Sequence, residues 1–204
     1  MVLRLARGLD LPLRDRNDLL RVAGFDPVYP ERDLDDSSLA PFNLMIARLL
    51  DSHEPYPALV VNRWWDVVNA NQAARLFVPE LPVNLVELFL LPGPIRDMIE
   101  NFEEAAPAVV HRLEREAAAA ADDERLAALV EQARRLVGPR WEGAPVAVPA
   151  VPVRIRLGDV TLSTVSAVAR FETSTEVTLS ELRVELMYPA DQATAEVFRA
   201  LAGR

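Results

Sequence analysis

Apolar residues along this chain recur at helical spacing in its first half and middle, and at strand spacing near its end. Leu13, Asn17, Leu20 and Gly24, widened by Leu19 and Ala23, predict a helix that starts near Pro12, is capped by Asp10 and ends at Gly24. Phe25 to Asp33 carries two prolines and reads as extended. Asp35-Asp36-Ser37-Ser38 supplies caps for a helix over 38–53, with Leu39, Phe42, Ile46, Leu49 and Leu50 as its apolar stripe. Strands follow at 58–62 and 65–69, then short helices over 71–77 and 84–89, with Asn69, Asn71 and Asn84 as capping residues. From Ile95, one face collects Met98, Ile99, Phe102, Ala106, Val109, Val110 and Leu113, and Pro107 predicts a kink or restart there. Asp122-Asp123 caps a helix that ends at Gly138-Pro139. Beyond Trp141 the period becomes two. The Pro-interrupted 144–153 fits an edge or a linker. Residues 153–157, Gly158-Asp159 and 160–165 read as a hairpin with a type II′ turn. Residues 182–188 alternate as a half-buried strand, and a helix over 190–202 closes the chain.

Strands, a helical middle, then strands again predict an α+β fold. An antiparallel sheet carries helices on one face, and a cavity between the two layers is plausible. A chain of 204 residues, half of them apolar, is long enough for a sizeable core. No apolar run reaches 18 residues and no h-region opens the chain, so the expected location is the cytoplasm. The absence of cysteine excludes disulfides, thiol nucleophiles and thiolate metal sites. The net charge of −9 argues against a polyanion-binding surface on the chain as a whole. Every Lys/Arg position is Arg, which fits the codon bias of a GC-rich genome.

Chemistry for catalysis is thin. His53 and His111 lie far apart on separate helices, and no nucleophile elbow, dinucleotide loop or phosphate loop occurs. The paired carboxylates Glu103-Glu104 and Asp122-Asp123, with Glu114 and Glu116, belong to solvated helix faces. We expect no enzyme, no metal and no cofactor.

One run carries more information: Tyr56-Pro-Ala-Leu-Val-Val-Asn-Arg-Trp-Trp-Asp-Val-Val-Asn-Ala-Asn71. It resembles the opening of the sensor domain of MmyB-like bacterial transcription regulators, with Trp65, Asp66 and Asn71 at the pattern's positions. Residues 5–25 are similar to the end of that family's helix-turn-helix domain, from Leu5 through Arg14, Arg16, Asn17, Leu19 and Leu20 to Gly24 and Phe25. The resemblance extends to the surroundings of Trp141 and to Glu172–Leu182. The family's usual run before the hairpin is replaced by Arg154-Ile-Arg-Leu-Gly158.

The resemblance implies three parts: the remnant of a helix-turn-helix domain at 1–30, a connecting helix at 31–55, and a PAS-like ligand-binding domain at 56–204. The DNA-reading helices are expected upstream, so DNA is a partner only through them. The implied ligand is small and apolar, such as a fatty acid. Ligand-contacting candidates are Trp65, Phe77, Leu85, Leu88, Phe89, Phe102 and Leu186, with Trp65 pointing inward from its strand. Arg63, Arg154, Arg156 and Arg170 are candidates for a carboxylate. A homodimer is expected. The alternative is a ligandless dimerisation module, in which the helices at 38–53 and 94–120 pair the two copies and the cavity is a packed core.

Overall fold

The computed structural model describes residues 1–78, 80–120, 123–139 and 151–203. Trp141 and residues 144–150 of the expected edge lie outside them, as does Asp122. Two short helices, α1 (Val2–Gly8) and α2 (Leu13–Val22), precede an extended segment and α3 (Ala40–Ser52). The sheet is built from β1 (Ala58–Val61), β2 (Asp66–Ala70), β3 (Val83–Asn84), β4 (Val153–Leu157), β5 (Val160–Arg170) and β6 (Arg183–Pro189). Between β3 and β4 run α4 (Leu85–Leu90), α5 (Pro94–Met98), α6 (Phe102–Ala119) and α7 (Glu124–Val137). The short α8 (Val177–Glu181) precedes β6, and α9 (Gln192–Ala202) ends the fold.

All strand pairs are antiparallel, in the order β3-β2-β1-β6-β5-β4. The α+β class and the antiparallel, helix-covered, PAS-like sheet therefore stand as expected. First and last strands meet at the centre, so β1 is buried on both faces. Alternation then sends Leu59 and Val61 to one side and Ala58 and Val60 to the other. The first side packs with Val67, Phe77, Leu162 and Phe198. The second packs with Leu39, Ile46 and Leu50 of the α3 region and Leu179 and Leu182 around α8. Helices thus cover both faces rather than one. The physical reason is that a central strand with four consecutive apolar residues leaves neither face fit for water.

Capping follows side-chain chemistry. Asp36 accepts from Ser38 N ahead of α3, Asn84 accepts from Val86 N and Glu87 N, and Asp123 accepts from Leu126 N. Asp10 caps nothing: it sits in a left-handed turn at φ 52 between α1 and α2. The β4–β5 hairpin pairs Leu157 with Val160, with Gly158 at φ 61, while Asp159 is absent from the positive-φ residues. This matches the type II′ turn. β5 runs to Arg170, beyond the expected 165, because it keeps pairing with β6 to the Arg170–Arg183 rung.

The break expected at Pro107 falls earlier. α6 runs through Pro107, and the chain leaves helix at Ile99, which bridges to Ile155 of β4. Asn101 fixes that break: its amide donates to Pro152 O at 2.8 Å and its oxygen accepts from Arg154 N at 2.9 Å. Tertiary pairing to β4 thus decides where the helix starts.

The N-terminal segment docks on α8. Glu176, buried at the α8 cap, accepts from Leu179 N and Arg32 N, and Val177 N donates to Pro30 O. Five residues carry too short a period for α8 to be legible in the sequence. Asn71 is buried and fully used. It accepts from Ala58 N and Ala74 N and donates to Tyr56 O and Leu50 O, tying α3, β1 and the turn after β2. Asn69 accepts only from its neighbour Ala70 N. Asn71→Ala is therefore expected to cost about 2–4 kcal/mol through unpaired buried backbone groups, and Asn69→Ala about 0.5 kcal/mol or less. Urea denaturation of the two variants checks the contrast.

Candidate functional site

A cavity of about 280 Å³ lies between the sheet and the α4–α6 layer. Its sheet wall includes Leu59, Ile155, Thr164, Glu185 and Met187, and its helix wall Leu85, Leu88, Phe89, Ala105, Ala108 and Val109. Ala105, Ala108 and Arg112 stand three and four residues apart on α6, so one helical stripe faces the cavity. The small side chains on that stripe leave space where larger ones would close it.

Of the seven ligand candidates, Trp65, Phe77, Leu85, Leu88 and Phe89 line the cavity. Phe102 does not. It stacks behind Phe89, ring centroids 6.2 Å apart, beneath the Arg96 guanidinium at 4.3 Å. Leu186 lies on the opposite sheet face, in the α3 layer. On β6 the cavity side is taken by Glu185 and Met187. The alternation was read correctly, but a centrally placed strand is buried on both sides, so the charged row is not the solvent row.

Trp65 is buried, as expected of an inward residue. It does not belong to a strand, however. Asn62 to Asp66 form the β1–β2 turn, with Trp65 N donating to Asn62 O at 3.1 Å and the Asn62 side chain accepting from Trp64 N and Asp66 N. Trp65 takes the left-handed position, φ 67, where glycine is the usual occupant. Two guanidiniums lie over the indole ring, Arg112 at 4.5 Å and Arg183 at 4.8 Å from its centroid.

Those arginines belong to an ionic cluster at one end of the cavity. Arg112 pairs with Glu185 and Glu116, Arg183 pairs with Glu116, and Arg170 lies 3.8 Å from Glu116. Burial, with the neighbouring charge of Arg112, lowers the Arg183 guanidinium to about 10, against the opposing pull of Glu185. It remains a cation at neutral pH. Such a cluster survives desolvation only because its members satisfy one another.

The four arginines proposed from sequence stand elsewhere. Arg63 pairs with Asp123 and Glu181, Arg154 with Glu104, Arg156 with Glu100, and Arg170 is half-exposed beside Glu116; none lines the cavity. Arg112 and Glu185, which do, were missed. Arg112 falls three residues after Val109, on the apolar stripe itself, and that position was the available signal. Among the described residues no group of three or more His, Cys, Asp or Glu is arranged to hold a metal ion. None of their helices is long and apolar enough to cross a membrane.

Residues 45–201 match the family model of the MmyB-like transcription regulator ligand binding domain. The chain belongs to this family. It carries the ligand-binding domain of a transcription regulator, and the matched region includes every residue of the cavity wall. A comparison with curated proteins gave no match.

At the outer side of the turn, the Trp64 indole donates to Asp123, and Arg63 reaches the same carboxylate at 2.6 Å. Burial acts to raise the Asp123 carboxyl, but the Leu126 amide, Arg63 and Trp64 outweigh it and hold it below the ordinary aspartate value. Its folded value lies below its unfolded one, about 3.9. The ionised group therefore stabilises the fold above that pH, and the contribution is lost as pH falls through the folded value. Melting temperature should drop more steeply below about pH 4 in the parent chain than in Asp123→Asn, which keeps a capping oxygen but does not titrate.

Proposed function

We propose that this domain senses a small apolar ligand with an acceptor head, of the fatty-acid class, for a helix-turn-helix transcription regulator. The carrying observation is the cavity, walled by aliphatic and aromatic side chains with Arg112 at its charged end. Each methylene moved from water into such a slot is worth about 0.8 kcal/mol. Arg112 spends three of its five N–H donors on Glu116 and Glu185, leaving two for a carboxylate or carbonyl oxygen.

We assign residues 1–30 to the tail of a DNA-binding domain, 31–55 to a connecting segment and 56–204 to the sensor. The regulator works in the cytoplasm and is not an enzyme. Its contact with DNA runs through a helix-turn-helix domain and not through the sensor, so residues 56–204 should show no sequence-specific DNA affinity. Ligand binding biases two arrangements of the regulator for which its affinities differ.

Mass spectrometry of the purified chain, native and then solvent-extracted, is expected to find a stoichiometric apolar acid. Decanoate at a hundredfold excess over its Kd should stabilise the fold by about 2.7 kcal/mol, roughly 5–10 °C in Tm. An empty protein with no shift from any fatty acid would sink the ligand reading and favour the dimerisation module.

A homodimer is the second part of the reading, and α3 supports it. Its outer face presents Phe42, Leu44 and Met45, each more than two-fifths exposed, an apolar patch suited to a second copy. Sedimentation should show a dimer that Met45→Glu converts to monomer while the melting temperature stays within a few degrees.

A further inference from the structure

Among the described residues, the buried side-chain donors without a partner are Arg63 Nε, Trp65 Nε1 and Arg183 Nε. All three gather at one place. Arg63 and Trp65 belong to the β1–β2 turn, and Arg183 donates to the Asn62 carbonyl at 3.0 Å and lies over the Trp65 ring. The same turn holds a tryptophan at positive φ, a conformation that costs energy in a bulky residue. Unpaired buried donors and backbone strain at one turn mark an element held in place by its surroundings.

Two sets of contacts lead away from this turn. On one side, the Trp65 indole forms part of the cavity wall. On the other, Arg63 Nη1 reaches Glu181 Oε1 at 2.6 Å, and Arg14 of α2 holds the same carboxylate at 2.7 Å and Glu31 at 2.5 Å. Glu181, Arg63 and Asp123 are each less than one-sixth exposed at the side chain, so water screens this chain of charges weakly. α2 is thereby joined to the turn through one shared carboxylate.

We propose that the β1–β2 turn is a switch coupling occupation of the cavity to the docking of α2, through Trp65 on one side and Arg63–Glu181–Arg14 on the other. This rests on the ligand reading above. An apolar tail supplies the indole with packing partners that an empty cavity lacks. It thereby favours the arrangement in which Arg63 stays within reach of Glu181. Glu181 then holds Arg14, and α2 docks more tightly. Coupling is reciprocal, so loosening α2 weakens ligand binding by the same factor.

The test measures amide hydrogen exchange over residues 13–22 in the full chain. Decanoate is the probe, and Ala108→Phe serves as a ligand-free way to fill the cavity. Saturating decanoate is expected to slow exchange in this segment about tenfold, and Ala108→Phe to slow it without ligand. Glu181→Gln and, from the α2 side, Arg14→Gln should keep cooperative melting and still bind decanoate, with an affinity lowered by the same factor and no slowing. If decanoate does not bind while Ala108→Phe slows exchange, the coupling holds and the ligand reading falls. Unchanged exchange with the cavity filled by either route overturns the coupling. So does undiminished slowing in both charge variants, which would make the ion pairs a static scaffold.

Discussion

The contact between α6 and the centre of the sheet organises this molecule. Arg112 and Glu116 of α6 pair with Glu185 and Arg183 of β6 beside the Trp65 indole. Charges so placed lose hydration, and only mutual pairing compensates them, so the geometry at this end of α6 is tightly specified. The aromatic ring and two guanidiniums also occupy depth between helix and sheet. Further along the same stripe, Ala108 and Ala105 offer a single methyl each, and the space between the layers stays open. Cavity and ionic cluster are therefore two ends of one interface. Bulky paired charges fix the separation of the layers, and small residues leave the gap.

The opposite face of the sheet shows what that interface requires. β1 and β6 can carry a charged or cavity-facing row only because their other rows, Ala58, Val60, Val184 and Leu186, are sealed by the α3 region and α8. The N-terminal segment completes this seal through Glu176 and Glu181. The segment that resembles the tail of a DNA-binding domain is thus attached to the same scaffold that frames the cavity. Asn71, holding α3, β1 and the turn after β2 with four hydrogen bonds, keeps the two faces in register.

Much of the fold was legible from residue order. Caps at Asp36, Asn84 and Asp123, the Gly158-Asp159 hairpin and the buried positions Ile46 and Leu50 of α3 and Ala106, Val110 and Leu113 of α6 each follow local patterns, whereas Phe42, placed on the α3 stripe, is exposed. Features set by distant partners were not legible. The start of α6 is decided by Asn101 on β4, and α8 is held by a segment about 145 residues earlier in the chain. For the site, five of seven apolar candidates face the cavity. Leu186 falls outside the cavity wall because alternation reveals two rows without saying which faces the cavity, and Phe102 because a helical stripe spans more than one neighbour.

The sequence by itself determined the α+β class, through short-range periodicity, and pointed to the family, through the resemblance carried by the Tyr56–Asn71 run. Tertiary structure alone decided that Arg112 and Glu185 turn inward, and that Trp65 occupies a left-handed turn with two guanidiniums over its ring. It also decided that Arg63 faces Glu181 and Arg14 rather than a ligand. A charged side chain goes inward only when partners far away in the chain meet it there, and no local pattern encodes that meeting.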